Sequence, residues 1–347
     1  MQNPRPEPLT GPVRILIDAH GGDHAPGVVL DALTLVLARE DLAGVSFGLV
    51  GIEEVIAPSL RERGLDDQVQ LVPSQDVIEM GDSPAVAVRR KKNSSIHVGV
   101  RKIRDGEWDA LVSAGNTGAL MAISKLILKT ITGIDRPAIA SLIPAEKGTR
   151  TLFLDVGANV DCTSDHLVQF ALMGSCYMQT AENLPSPRVG LLNIGSEDIK
   201  GTDVVKVAAN ELAESPIEFI GNVEGTDLFS AEVDVVVCDG FVGNIALKTM
   251  EGTARFLADN MKNALLSGMR AKLGAWLARP ALNRFKDRVN PSRYNGAPLL
   301  GLNGVVVKSH GSADASGLAN AIGVAHREIR EGLISRINEI MAQWHAS

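Results

Sequence analysis

The apolar positions of this chain cluster in short unbroken runs. Ile15-Leu16-Ile17, Leu111-Val112, Leu152-Phe153-Leu154, Val189 to Leu192, Phe219-Ile220, Val235-Val236-Val237 and Val305-Val306-Val307 each give way abruptly to small or polar residues. Runs with no polar face belong to strands buried on both sides, as in a parallel sheet covered by helices. Helical patterns follow several of them. Pro26 suits the first turn of a helix reaching Glu40, because its fixed φ is helical and its missing N–H is not needed there. Thr163 or Ser164 is placed to cap a helix running through Thr180. The expected fold is α/β, a doubly wound, mostly parallel sheet in three α/β/α layers. Residues 1–11 read as a flexible Pro-rich tail. Residues 12–347 read as one two-lobed unit, with lobe one about 12–145 plus 301–347 and lobe two about 146–300.

In open α/β sheets, ligands sit beyond the carboxyl ends of the strands. There the sequence places Ala19-His20-Gly21-Gly22-Asp23, Ala114-Gly115-Asn116-Thr117-Gly118, Val156-Gly157-Ala158-Asn159, Asn193 to Gly195, Gly221-Asn222, Cys238-Asp239-Gly240 and Lys308-Ser309-His310-Gly311. One such junction is an ordinary turn; seven aimed at one sheet edge read as a site. The 114–118 turn precedes a helical pattern, so its first amides and its helix dipole suit an anion. A plain N-cap at Asn116 or Thr117 is the competing reading. Lys308 would bring a point charge to such an anion, and His310 a hydrogen bond or a proton. Asp18 and Asp23 are placed to orient those groups or act as a base, or else to cap the turn before Pro26.

One segment breaks the pattern. Between Arg255 and Arg293 stand nine basic residues (Arg255, Lys262, Arg270, Lys272, Arg279, Arg284, Lys286, Arg288 and Arg293) against Asp259 and Asp287, a local charge of +7 in a chain of −7. Leu265, Leu266, Met269, Leu273, Trp276 and Leu277 recur at helical spacing, and Pro280 interrupts before Leu282, Phe285 and Val289 resume it. This is a basic amphipathic helical hairpin, about 255–293. It suits a contact between copies, or a dock for an acidic, greasy donor or an anionic membrane.

Composition narrows the chemistry. Aromatics at 4% and a net charge of −7 leave neither stacking platforms nor a basic footprint for nucleic acid. Cys162, Cys176 and Cys238 match no disulfide or zinc spacing and read as reduced thiols. No apolar run approaches the ~18 residues of a spanning helix. A P-loop, a Gly-x-Gly-x-x-Gly fingerprint after the first strand and a Gly-x-Ser-x-Gly elbow are all missing. His20 and His24 flank Asp23 but lack the helical spacing of a metal site, so no metal or cofactor is expected.

The motifs Gly21-Gly22-Asp23, Ser113 to Ala119, Leu154 to Cys162, Leu191 to Gly195, Gly221 to Gly225, Asp239 to Asn244 and Val307 to Ser312 resemble, in order, those of the phosphate acyltransferase family. His20 stands where that family more often has Met, and Ser196 where it usually has Glu. The resemblance implies transfer of a long-chain fatty acyl group from acyl-[acyl carrier protein] to inorganic phosphate, giving acyl phosphate for phospholipid (phosphatidic acid) synthesis. It also implies a fold shared with phosphotransacetylases and isocitrate-type dehydrogenases, a homodimer, and cytoplasmic location with peripheral attachment to the inner face of the membrane. A membrane glycerol-3-phosphate acyltransferase would take the product. Asn116, Lys308, His310, Asn159 and Asp23 are then the candidate catalytic residues, with Asn159 a second donor toward the thioester oxygen. Gly115, Asn116, Thr117, Gly118 and Lys308 would hold phosphate. Arg270, Lys272, Trp276, Leu277, Arg279, Arg284 and Lys286 would meet carrier protein or membrane. The alternatives are an acyl-CoA phosphotransacetylase, a metal- and nicotinamide-dependent dehydrogenase and a non-catalytic membrane scaffold; the first differs in its donor, the second needs a clustered Asp set, and the third leaves the strand-end turns without a use.

Overall fold

A computed structural model describes residues 11–346. Of the expected tail, only Gly11 lies within the described residues. The strands are β1 (Arg14–Asp18), β2 (Ser46–Ile52), β3 (Val69–Ser74), β4 (Ala110–Ser113), β5 (Ala138–Pro144), β6 (Arg150–Leu154), β7 (Arg188–Leu192), β8 (Glu218–Val223), β9 (Val235–Val237), β10 (Ala297–Leu300) and β11 (Val305–Lys308). The helices are α1 (Gly27–Leu37), α2 (Glu53–Glu62), α3 (Pro84–Arg90), α4 (Ser95–Arg104), α5 (Thr117–Leu128), α6 (Ser164–Thr180), α7 (Asp203–Ala213), α8 (Gly240–Leu266), α9 (Met269–Leu277), α10 (Arg279–Val289), α11 (Ala315–Arg330) and α12 (Leu333–Ala346).

The strands form one sheet in the order β3-β2-β1-β4-β11-β10-β5-β6-β9-β7-β8. All seven apolar runs are strands. The block β3-β2-β1-β4-β11 is parallel throughout, and so is β6-β9-β7-β8. Between them the pairings β11–β10, β10–β5 and β5–β6 are antiparallel. Three reversals leave the two parallel blocks pointing in opposite directions. This corrects the expectation of a single site edge: β1, β4 and β11 end on one edge, and β6, β7, β8 and β9 on the opposite one. Apolar runs report burial on both faces, not polarity, and the reversing strands β5 and β10 lack the run-into-turn signature.

Helices cover both faces, as the continuous apolar runs require. α1 and α11 pack together on the first half, whereas α12 packs on α6 in the second. α6 begins where expected: Thr163 Oγ1 accepts from His166 N, and His166 Nδ1 accepts from Thr163 N at 3.1 Å, closing a reciprocal cap. Phe170 and Tyr177 on α6 and Phe153 on β6 are fully buried, each of the two Phe side chains contributing about 1.5–3 kcal/mol through apolar burial. α1 ends at Leu37, short of Glu40, because residues 40–42 form a separate 3₁₀ turn.

The basic segment forms the outer part of α8, then α9 and α10, with Pro280 in the first turn of α10. α8 starts at the far edge after β9. Its 27 residues span roughly 40 Å at 1.5 Å per residue, so it crosses the sheet and projects beyond the edge where β11 ends. Lys248 and Glu251 on α8 lie near enough to His310 to act on its charge. The returning chain reaches the same place at Asn295, whose amide touches Ser309 and His310. Both roots of the hairpin therefore stand at the Lys308 edge. Several of its apolar side chains stand in the open: Met269 is 89% exposed and Trp276 66%, and Leu273, Leu277 and Phe285 are also exposed.

Candidate active site

Three strand ends converge where β1, β4 and β11 stop side by side. Asp18 is buried there, its Oδ1 accepting from His20 N at 3.1 Å and its Oδ2 from Ser113 Oγ at 2.7 Å. Ser113 Oγ in turn accepts from Gly115 N at 3.1 Å. This chain of bonds fixes the 114–118 turn against the 19–23 loop. The approach admits no side chain at Gly21, where a Cβ would stand 2.6 Å from Gly115 N and 2.9 Å from Ala114 N. Gly22 has a positive φ and a Cβ there would lie 2.9 Å from Gly311 O, so the β1, β4 and β11 turns meet backbone to backbone.

Asn116 is the N-cap of α5, accepting from Ala119 N at 3.0 Å, as the competing reading of the sequence has it. It is also more than a cap. Its Nδ2 faces Glu79 O, Met80 O and Asp82 O at 3.2, 3.0 and 2.9 Å, latching the 79–82 loop over the turn. The side chain is thus fully engaged. The open donors are the amides of Thr117 and Gly118, which have no internal acceptor among the described residues and stand at the positive end of α5.

Lys308 is 8% exposed, with Nζ donating to Ala114 O at 3.1 Å and to Ser309 O. Two protons are used, and among the described residues the third has no acceptor, which leaves it for an anion. Burial lowers its pKa to about 8, with the charges of Asp18 and Asp23 working against the fall. Asp23 is exposed, and its backbone N–H donates to Gly311 O at 2.8 Å. His310 is held at its Nδ1, which accepts from Ser312 N at 3.2 Å and lies 2.9 Å from Ser312 Oγ. An acceptor Nδ1 puts the neutral ring's proton on Nε2, so His310 presents a donor. Partial desolvation of the ring also lowers the pKa of His310, favouring that neutral form.

Asn159 does not join this cluster. It lies on the opposite edge, because Asp155 to Asn159 follow β6. Its Nδ2 donates to Pro137 O and Asp155 Oδ2 at 2.8 and 2.9 Å, and Asp155 accepts in addition from four backbone amides. Beside it, burial pushes the Cys162 thiol up to about 11 and raises Cys238 further above its ordinary value, so neither is a thiolate nucleophile. His20 Nε2 accepts from Ile52 N at 2.9 Å and anchors the end of β2. A cavity of about 360 Å³ between α6, α7 and α12 is lined by Asp135, Asp165 and Glu211; its charge is wrong for an anion and it lies away from the Lys308 cluster.

Four contributors escape a reading of the sequence alone. Ser113 ends an apolar strand and looks like filler. Lys248 and Glu251 reach the site only because α8 crosses the sheet. Asn295 carries one signal, an Asn-Gly pair just after the basic segment, which marks a turn.

The sequence matches the family described as "Fatty acid synthesis protein" over residues 13–336. It is 50% identical over 341 residues to a phosphate acyltransferase of Magnetococcus marinus, covering 96% of this chain and 97% of the relative. A phosphate acyltransferase of Bordetella petrii is 48% identical over 333 residues, covering 95% and 92%. Among solved structures, a phosphotransacetylase from Streptococcus pyogenes superposes with a TM-score of 0.58 at 17% identity, covering 92% of this chain and 94% of that one. That likeness is one of fold.

Proposed function

The chain belongs to the phosphate acyltransferase family, an enzyme of the acyltransferase class, and we propose that it moves a long-chain fatty acyl group from acyl-[acyl carrier protein] to inorganic phosphate. The observation that carries this reading is the Lys308 edge: a buried cation with one free N–H, two open helix-start amides and a neutral imidazole donor around one set of strand ends. Phosphate sits between the Thr117 and Gly118 amides and Lys308 Nζ. One of its oxygens attacks the thioester carbonyl, and His310 Nε2–H donates to the oxyanion that forms. The C–S bond breaks, and the proton of hydrogen phosphate ends on the carrier thiol, with the exposed Asp23 carboxylate as its relay. Both reactants are anionic or carry anions, so the enzyme's work is to hold them together and stabilise one tetrahedral intermediate.

The hairpin favours a protein-borne donor over a small one. Arg270, Lys272, Arg279, Arg284 and Lys286 supply charge for an acidic carrier, and Trp276 and Leu277 an apolar contact, beside the site edge. The same face suits anionic lipid, which would keep a cytoplasmic enzyme at the inner face of the membrane beside a glycerol-3-phosphate acyltransferase that consumes acyl phosphate for phosphatidic acid. No helix among the described residues is long and apolar enough to cross a membrane.

The test is an acyl-phosphate assay with purified protein, phosphate and matched long-chain donors on carrier protein or coenzyme A. The carrier-protein donor is expected to be preferred, and Arg270→Glu with Lys272→Glu to remove most of that preference. Equal use of the coenzyme A donor would favour the phosphotransacetylase-like alternative.

A homodimer fits the far edge. Val160, Ile194, Ile199 and Phe241 follow β6, β7 and β9 at that edge and are each more than half exposed, apolar surface of the kind a second copy covers. Sedimentation equilibrium is expected to give twice the chain mass, and Phe241→Asp a monomer. A monomeric wild type would overturn this.

A further inference from the structure

We propose that Asn295 is a positioning residue of the transfer step, its amide aiming the Ser309-His310 turn at the reacting phosphate. The inference rests on the reading that His310 faces the reaction. Asn295 follows the hairpin's return and is the last residue before Gly296, whose φ of 115° turns the chain into β10. Its Oδ1 accepts from His310 N at 2.9 Å, and its Nδ2 donates to Ser309 Oγ at 2.8 Å. One planar group thus grips two successive residues of the turn that follows Lys308. The amide is itself seated: a Cβ at Gly317, in the first turn of α11, would lie 3.3 Å from Asn295 Nδ2. Asn320 on α11 fixes the preceding turn by donating to Ser292 O at 2.6 Å.

The chemical consequence follows from His310's two attachments. Ser312 fixes which ring nitrogen carries the proton, whereas Asn295 fixes where the backbone carrying that ring stands. A donor must be placed within a few tenths of an ångström of the oxyanion, and a misplacement of about 1 Å costs on the order of a hundredfold. Asn295 touches neither phosphate nor thioester in this arrangement, so it acts through His310 and Ser309. Without it, the His310 N–H and the Ser309 hydroxyl lose their fixed partner and the turn is free to move.

The experiment measures kcat, phosphate KM and melting temperature for the full-length wild type, Asn295→Ala, His310→Ala and the double variant. Asn295→Ala is expected to lower kcat roughly tenfold or more with phosphate KM within about twofold. In the His310→Ala background the same change is expected to cost less than about twofold, since the group it aims is gone. Equal losses in both backgrounds, or a lowered melting temperature with kcat intact, would reduce Asn295 to a structural part. His310→Ala with unchanged kcat would instead sink the site reading and this inference with it. Asn295→Asp guards against simple misfolding: it keeps the acceptor for His310 N and lets the Ser309 hydroxyl donate, so it should recover most of the kcat lost in Asn295→Ala. No recovery in a folded Asn295→Asp protein overturns the proposal.

Discussion

Lys308→Met is expected to lower turnover by about 10²–10³-fold, with phosphate affinity falling alongside. The side chain is buried at the end of β11, so its charge acts through a medium that screens poorly, close to where the three strands end. Met keeps the length and the apolar stem, which limits repacking. The carbonyls of Ala114 and Ser309 lose a donor, at a cost of about 1–3 kcal/mol of stability, so melting temperature must be read beside activity. A folded variant with unchanged phosphate KM would remove Lys308 from the anion site.

The same residue predicts a pH dependence whose sign is fixed by its environment. Burial brings the Lys308 pKa down to about 8. Below that the ammonium is charged and, in the proposed site, available to phosphate; as pH rises through it the cation is lost and phosphate KM is expected to climb. Bound phosphate dianion favours the charged form, so the break in kcat lies at higher pH than the break in kcat/KM. Lys308→Arg keeps its charge throughout, and in an active Arg variant the rise in KM above about pH 8 should vanish.

What could be read from sequence follows from what apolar patterns encode. The seven apolar runs, the α6 cap at Thr163 and the break at Pro280 are local signals, and each stands where the residues put it, although the Phe219-Ile220 run forms the edge strand β8 and Ile220 is exposed there. Lys308, His310, Asp23 and the 114–118 turn were legible for the same reason: each ends or follows a strand. Asn159 carried an equally good local signal and lies on the other edge. Strand polarity is set by β5 and β10, whose antiparallel pairing is decided by partners more than a hundred residues apart for β10–β5. A local rule that ligands lie at strand ends cannot say which ends share an edge. Asn295 and Ser113 were hidden for a related reason, since their roles exist only once distant turns are brought together.

Asn116 offers the sharpest test of what the turn does, because its two roles answer differently to one substitution. As a plain N-cap it would tolerate Asp, which caps as well as Asn and gains from the helix dipole. As a latch it would not: a carboxylate would face the carbonyl oxygens of Glu79, Met80 and Asp82, which now receive the Nδ2 protons. It would also set a negative charge beside the Thr117 and Gly118 amides, the proposed phosphate site. Asn116→Ala is expected to cost about 1–2 kcal/mol, chiefly from the lost cap, since the freed carbonyls at Glu79 and Met80 stand on an exposed loop and can turn to water. Asn116→Asp should cost at least as much despite preserving the cap, and should raise phosphate KM further than Ala does. Released from Asn116, the 79–82 loop no longer holds Met80 beside Gly311, where a Cβ on that glycine would lie 3.6 Å from the Met80 methyl. Turnover is therefore expected to fall by roughly tenfold or more in both variants. An Asn116→Asp enzyme that melts and turns over like the wild type would show that the amide is a cap and nothing else, and would leave the 79–82 loop without a part in the site.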